Sequence, residues 1–148
     1  VEELDIQEEL THILKLLHPL ANYHSVKVST DFSTYGTIQG DKSKFHQCFI
    51  NIMRNSIESM SYGGALLIKT VATQNKIIIS IQDTGTGLSK EQIQRRGEPH
   101  YSTKGPQGTG LSMMVAYSIL RAMRARIEVQ SEIGKGTTFQ FHFKLNKT

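Results

Sequence analysis

The chain has a single cysteine, Cys48, three prolines, and no apolar run of membrane-spanning length among its 148 residues. One cysteine excludes an internal disulfide, and a reducing compartment is the expectation. Without a long apolar run there is no candidate membrane helix, and no stretch reads as a secretory leader. A cytoplasmic domain with no direct membrane contact is therefore expected. No repeat, low-complexity tract or linker divides the sequence, which at this length predicts one domain, residues 1–148, with a real core. A strong charge of either sign is also missing: 17 basic and 13 acidic residues leave a net charge of +4. The basic residues are scattered singly apart from Arg95-Arg96, so the sequence offers no nucleic-acid surface.

What is present centres on Asp83-Thr84-Gly85-Thr86-Gly87, directly behind the apolar run Lys76-Ile77-Ile78-Ile79-Ser80-Ile81-Gln82. The run is rich in β-branched residues and bounded by turn formers, which predicts a strand. Gly85 and Gly87 remove Cβ where backbone must turn or approach a ligand. An ionised carboxylate accepts hydrogen bonds and donates none, so Asp83 suits an amino group such as that of adenine. The same five residues also fit an ordinary Asp-Gly loop after a strand.

The other elements follow from periodicity. A helix is predicted from about residue 4 to residue 24, with Asp5 and Glu8 as a capping box and Leu10, Ile13, Leu14, Leu17, Leu20 and Ala21 on one face. Pro19 should kink it or remove one backbone bond near Lys15. Residues 26–32 alternate as a strand, and residues 36–40 make a turn with a short strand. His12, His18 and His24 have no acidic sequence neighbour and read as helix-surface residues.

A second helix starts at Asp41 as N-cap, carries Phe45, Cys48, Phe49, Ile52, Met53, Ile57 and Met60 on its core face, and stops at Gly63-Gly64. Asn51, Asn55 and Glu58, spaced four and three, share another stripe of that helix. Asparagine is a middling helix former, so the stripe is either a solvated face or a set of hard oxygen ligands for a phosphate-held cation. Residues 65–72 and 76–82 form a hairpin that delivers Asp83. Ser89 and Gln92 cap a short helix at residues 90–95. Residues 96–110 form a loop carrying Lys104, of a length typical of lids and binding loops. Gly108-Thr109-Gly110-Leu111 then opens a helix at Ser112, and free amides at a helix start suit a phosphate. Residues 126–131 and 137–143 make a last hairpin with Phe139, Phe141 and Phe143 on its buried face.

In this order the elements resemble the ATP-binding catalytic domain of bacterial sensor histidine kinases, within the gyrase, Hsp90, histidine kinase and MutL superfamily. The resemblance runs from about Leu10 to Phe143. The N box looks like Asn51-Ile52-Met53-Arg54-Asn55-Ser56-Ile57-Glu58, and the G1 box like Asp83-Thr84-Gly85-Thr86-Gly87. The F box and threonine-lysine segment look like Gly97-Glu98-Pro99-His100-Tyr101-Ser102-Thr103-Lys104. The G2 box looks like Gly108-Thr109-Gly110-Leu111, and the last glycine box like Gly134-Lys135-Gly136-Thr137.

The resemblance implies an α+β fold of the Bergerat type: a two-layer α/β sandwich with a mixed, mostly antiparallel sheet and three main helices on one face. It implies ATP and Mg²⁺ as cofactors. ATP would be held by Asn55, Asp83, Gly85, Gly87, Thr103, Lys104, Gly108, Thr109, Gly110, Leu111, Ser112 and Thr137, and Mg²⁺ by Asn55 and Asn51 with Glu58. Ser112 stands where the family commonly has glycine, His100 and Tyr101 replace the usual aromatic pair, and Ala125 stands where a glycine often precedes the last hairpin. Superfamily members that hydrolyse ATP by themselves, and anti-sigma serine kinases, carry glutamate where this chain has Asn51. A neutral amide is no general base at pH 7, which favours the histidine kinase over the anti-sigma kinase. A degenerate nucleotide-sensing scaffold is the non-enzyme alternative.

The implied partners are a helical dimerisation domain of the same protein, which carries the phosphoacceptor histidine and makes a homodimer, and a response regulator downstream. That histidine belongs in a His-Glu or His-Asp context absent from this chain, so no catalytic residue is assigned here. The first helix is expected to start close to where that domain was separated from it.

Residues 96–110 are predicted to act as a lid whose order depends on the γ-phosphate. Few of them are apolar, so burial offsets little of an ordering cost of roughly 1–2 kcal/mol per residue. Lys104, beside Thr103, is the natural partner for a terminal phosphate that ADP lacks. Amide hydrogen exchange should show protection of residues 101–110 mainly with an ATP analogue, and Lys104→Ala should remove it. Equal protection with ADP would refute the γ-phosphate dependence.

Overall fold

The computed structural model describes residues 2–33, 35–60, 62–85 and 111–145, and for Leu111 and Ser112 the backbone alone. The expected helix at 90–95 and the lid at 96–110 lie outside the described residues. The chain opens with strand β1 (Glu2–Asp5), helix α1 (Ile6–Tyr23), strands β2 (Val26–Phe32) and β3 (Thr37–Gly40), and helix α2 (Lys42–Glu58). Strands β4 (Gly64–Ala72) and β5 (Lys76–Asp83) follow, then helix α3 (Leu111–Ala122) and strands β6 (Arg126–Glu132) and β7 (Gly136–Lys144). Among the described residues no helix is long and apolar enough to cross a membrane.

Five strands form one sheet in the order β2-β4-β5-β7-β6, with β2 parallel to β4 and the other pairs antiparallel. The sheet is thus mixed and mostly antiparallel, as expected. One feature differs from the sequence reading. The first helix starts at Ile6 rather than about residue 4, and residues 2–5 pair as β1 with β3 in a separate two-stranded ribbon. Leu4 is buried there opposite Ile38, so burial holds this stretch extended and the helix starts only behind it. Pro19 takes the second of its two expected outcomes: α1 runs unbroken to Tyr23 and one backbone bond is lost. The carbonyl deprived of its partner is that of Lys15, an exposed residue, where water can take the place of the missing N–H.

The capping residues behave as their chemistry dictates. Asp5 Oδ1 accepts from Glu8 N at 3.2 Å, and Asp41 Oδ1 accepts from Lys44 N at 3.1 Å. After α3 the left-handed residue is Arg124, at φ 59°, so Ala125 needs no glycine's freedom. The helices cover one face of the sheet. Ile77, Ile79 and Ile81 of β5, and Phe139, Phe141 and Phe143 of β7, are buried beneath them. Phe49 of α2 meets Phe141 edge-on at 5.2 Å between ring centres. Cys48 lies in the same layer, its Sγ 3.6 Å from the Ala116 carbonyl of α3. Burial pushes its thiol up to about 12, which makes it inert.

One buried charge joins the first two helices. Glu9 of α1 is 4% exposed, and its Oε1 lies 2.6 Å from His46 Nε2 of α2. His46 therefore has an acidic partner in space, though none stands beside it in sequence. The pairing supplies the hydrogen bond that a buried carboxylate requires.

The end of β5 is fixed by a close approach of β7. Asp83 is in register with Thr137, and a Cβ built on Gly136 would lie 2.1 Å from the Asp83 carbonyl oxygen. Gly136 also sits at φ 106°, where side chains are rarely accommodated. Gly134, at φ 84°, has open space around its Cβ position, which separates the two effects. Gly134→Ala should cost about 1 kcal/mol of unfolding free energy from backbone strain alone. Gly136→Ala should cost about 3 kcal/mol or more, because the obstructing atoms are backbone and cannot rotate away. Chemical denaturation of both variants checks this; equal losses would mean that the close approach is not constraining.

Candidate functional site

The site begins with a strand whose inward face is apolar until its last residue. Inward-facing Ile77, Ile79 and Ile81 are followed in the same phase by Asp83, so the register that buries the isoleucines also drives the carboxylate inward. Asp83 is 6% exposed. Its Oδ1 accepts from Gly85 N at 2.9 Å and from Thr137 N at 3.3 Å. Burial raises its pKa above the ordinary aspartate value. The Gly85 N–H, the nearby Ser56 hydroxyl dipole and the Thr137 N–H oppose that rise. Ser56 Oγ is itself buried and makes no hydrogen bond of ordinary geometry, so its influence is that of a dipole facing the carboxyl.

Among the described residues both bonds to Asp83 fall on Oδ1. Oδ2 keeps its lone pairs for a donor that is not part of this turn. A buried acceptor so placed would recognise an amino group and repel a carbonyl or a phosphate.

Thr84 continues the sheet through its side chain. Its N–H donates to Ala65 O at 3.2 Å, and its Oγ1 accepts from Ala65 N at 3.0 Å. Gly85 then passes so close to α2 that a Cβ there would lie 2.7 Å from Ser59 Oγ and 3.1 Å from Asp83 Oδ1. The C-terminal end of α2 thus packs onto the Asp83–Gly85 turn through Ser56, Ser59 and Met60. Ser59 Oγ donates to the Ser56 carbonyl at 2.7 Å and closes that helix end.

This packing sets the predicted Asn51, Asn55 and Glu58 stripe on the helix that borders the carboxylate. All three residues are half-buried, and Arg54 Nη2 donates to Asn51 Oδ1 at 3.3 Å. Their amide and carboxylate oxygens are hard donors that suit a small divalent cation sharing its shell with phosphates. A different trio, Glu8, Glu9 and His12, brings ligand atoms within 4.8 Å of one another on α1. Its Glu9 is already engaged by His46, and the trio is separate from the stripe.

Of the residues predicted to contact ATP, the structure places Asp83, Gly85 and Thr137 together and sets the helix of Asn55 against them. Leu111 and Ser112 open α3. Gly87, Thr103, Lys104, Gly108, Thr109 and Gly110 lie outside the described residues. Sequence reasoning missed Ser56 as a neighbour of Asp83 and Ser131 as a partner of Thr137. Both carry a legible signal. Ser56 occupies the core stripe four residues after Ile52, and Ser131 follows Ile127 and Val129 in the inward phase of β6.

Residues 40–147 match the family model described as histidine kinase-, DNA gyrase B- and HSP90-like ATPase. The chain is 36% identical to sporulation kinase C of Bacillus subtilis over 137 residues, covering 91% of this chain and 32% of that protein. It is 37% identical to sporulation kinase B of the same organism over 138 residues, covering 93% and 32%. The chain therefore spans about a third of the length of these relatives. Among solved structures, the mycobacterial sensor histidine kinase MprB superposes with a TM-score of 0.87 at 15% identity, covering 99% of this chain and all of that one. Full-length ShkA in complex with AMPPNP gives a TM-score of 0.87 at 23% identity over 99% of this chain and 31% of its own. Similarities at that identity establish the fold, and the match over residues 40–147 establishes the family: this chain belongs to the histidine kinase-, DNA gyrase B- and HSP90-like ATPases.

Proposed function

We propose that this chain is the ATP-binding catalytic domain of a two-component sensor histidine kinase. Its work is to present the γ-phosphate of ATP to a histidine on a separate helical dimerisation domain of the same protein, within a homodimer. The observation that carries the reading is Asp83: a buried carboxylate, fixed through Oδ1 by two backbone N–H groups, with Oδ2 left to accept from a base amino group. The relatives, which are sporulation kinases and sensor histidine kinases, support the phosphoryl-transfer class.

In this reading Asp83 selects the base, and Gly85 lets the turn pass α2 without obstruction. Thr137 buttresses the Asp83 carboxylate through its N–H. Asn55, with Asn51 and Glu58 on the same stripe, would hold Mg²⁺, which when bound neutralises phosphate charge. Lys104, Thr103 and the amides of residues 108–112 are proposed to hold the phosphates. Phosphoryl transfer asks for positioning and charge neutralisation rather than covalent chemistry from the protein. Asn51, an amide where a general base would be needed to activate water, favours transfer to a partner over hydrolysis. A response regulator is the proposed downstream acceptor, and the cytoplasm the proposed compartment.

Two outcomes test the proposal. Asp83→Asn should fold but lose at least about a hundredfold of ATP affinity, since it removes an acceptor and turns a donor toward the base amine. Calorimetry giving an affinity within threefold of wild type would refute the base-reading role. The isolated chain should hydrolyse ATP very slowly and should not label itself with γ-labelled ATP. Acid-labile phosphate appearing on this chain alone would contradict a phosphoacceptor on a separate domain.

A further inference from the structure

Beside Asp83 lies a pair of hydroxyls whose donor and acceptor roles are set by the backbone. Ser131 of β6 is in register with Thr137 of β7, and Thr137 with Asp83 of β5. The three side chains therefore share the helix-covered face at one end of the sheet. Ser131 Oγ lies 2.9 Å from the Gly136 carbonyl oxygen and 2.7 Å from Thr137 Oγ1. A hydroxyl has one proton to donate, and a carbonyl oxygen can only accept. With the Ser131 proton on Gly136 O, the contact between the two hydroxyls is a hydrogen bond when Thr137 donates to Ser131 Oγ. The Thr137 proton is then turned away from Asp83, and its Oγ1 keeps only lone pairs.

We propose that Ser131 is a positioning residue for base specificity, which makes Thr137 an obligate acceptor so that Thr137 Oγ1 and the Asp83 carboxylate together form an acceptor-only wall. Such a wall admits a purine bearing a 6-amino group and rejects one bearing a 6-oxo group, whose oxygen would meet lone pairs on both residues. A free threonine hydroxyl could rotate and donate to that oxygen; a committed one cannot. The cost of rejection is a buried acceptor left unpaired, which is how polar sites discriminate strongly. This inference rests on the proposed reading of Asp83 as the residue that faces the base.

The experiment compares binding of ATP and of its 6-oxo counterpart, inosine triphosphate, by calorimetry. In Ser131→Ala the Thr137 proton is released, so the preference for ATP should narrow by about tenfold, roughly one hydrogen bond's worth of discrimination. Ser131→Thr keeps the hydroxyl and should restore the wild-type ratio. Thr137→Val should narrow the ratio as well, and adding Ser131→Ala to it should change nothing further, because Ser131 acts only through Thr137. A purely structural role would lower both affinities by one factor and leave the ratio unmoved; that result overturns the proposal. So does a Thr137→Val variant that keeps the full wild-type ratio, a readout that does not depend on how well Ser131→Ala folds. Asp83→Asn separates the two levels. If it binds ATP as well as wild type does, the reading of Asp83 fails; if it loses ATP while Ser131→Ala keeps the ratio, only the role of Ser131 fails.

Discussion

The pairing of β5 with β7 is the constraint on which the rest of the site depends. Ile81 faces Phe139, Ile79 faces Phe141 and Ile77 faces Phe143, and in the same register Asp83 faces Thr137. A slip of β5 by one residue would turn its three inward isoleucines out of the core, at about 1.5–3 kcal/mol each. The total, about 5–9 kcal/mol, outweighs the cost of burying one carboxylate that accepts two backbone hydrogen bonds. The apolar ladder therefore decides where the carboxylate goes. The backbone N–H groups of Gly85 and Thr137 then make that position tolerable.

Gly136 is the second half of the same constraint. It lets β7 start against the Asp83 carbonyl, a distance that no side chain would permit. With that approach the Thr137 N–H reaches Asp83 Oδ1, and the Ser131 hydroxyl spans to both Gly136 and Thr137. The last glycine box therefore acts on Asp83 from the neighbouring strand, about fifty residues away in sequence.

Helix α2 serves the core and the site with different faces. Phe45, Phe49, Ile52 and Met53 are buried in the core, while Asn51, Asn55 and Glu58 lie half-buried on another stripe. Its end is locked to the Asp83 turn by Ser56, Ser59 and Met60. Near its start the helix is tied to α1 by the buried pair of Glu9 and His46. A site residue on this helix is thus held at both ends of its element, which is what precise positioning of a phosphate or a cation requires.

Local chemistry was enough to read most elements. Alternation gave β2 and β7, a β-branched run between turns gave β5 with β4 as its hairpin partner, period-3.6 runs gave α1 and α2, and Asp5 and Asp41 marked the helix starts, because these signals lie within a few residues of one another. Asp83 was legible for the same reason: a carboxylate in the inward phase of an apolar strand, ahead of glycine, contradicts its surroundings unless it has a use. Contacts between distant segments were not legible. Leu4 joined β1 rather than α1 because its partner Ile38 lies across the ribbon. His46 gained Glu9, Asp83 gained the Ser56 dipole and the Thr137 amide, and Ser131 gained the Gly136 carbonyl and Thr137 hydroxyl. The sequence by itself determined which residues are polar in apolar places. Only the tertiary structure decided which groups answer them, because a hydrogen bond depends on distance and direction between strands and helices that the chain order does not encode.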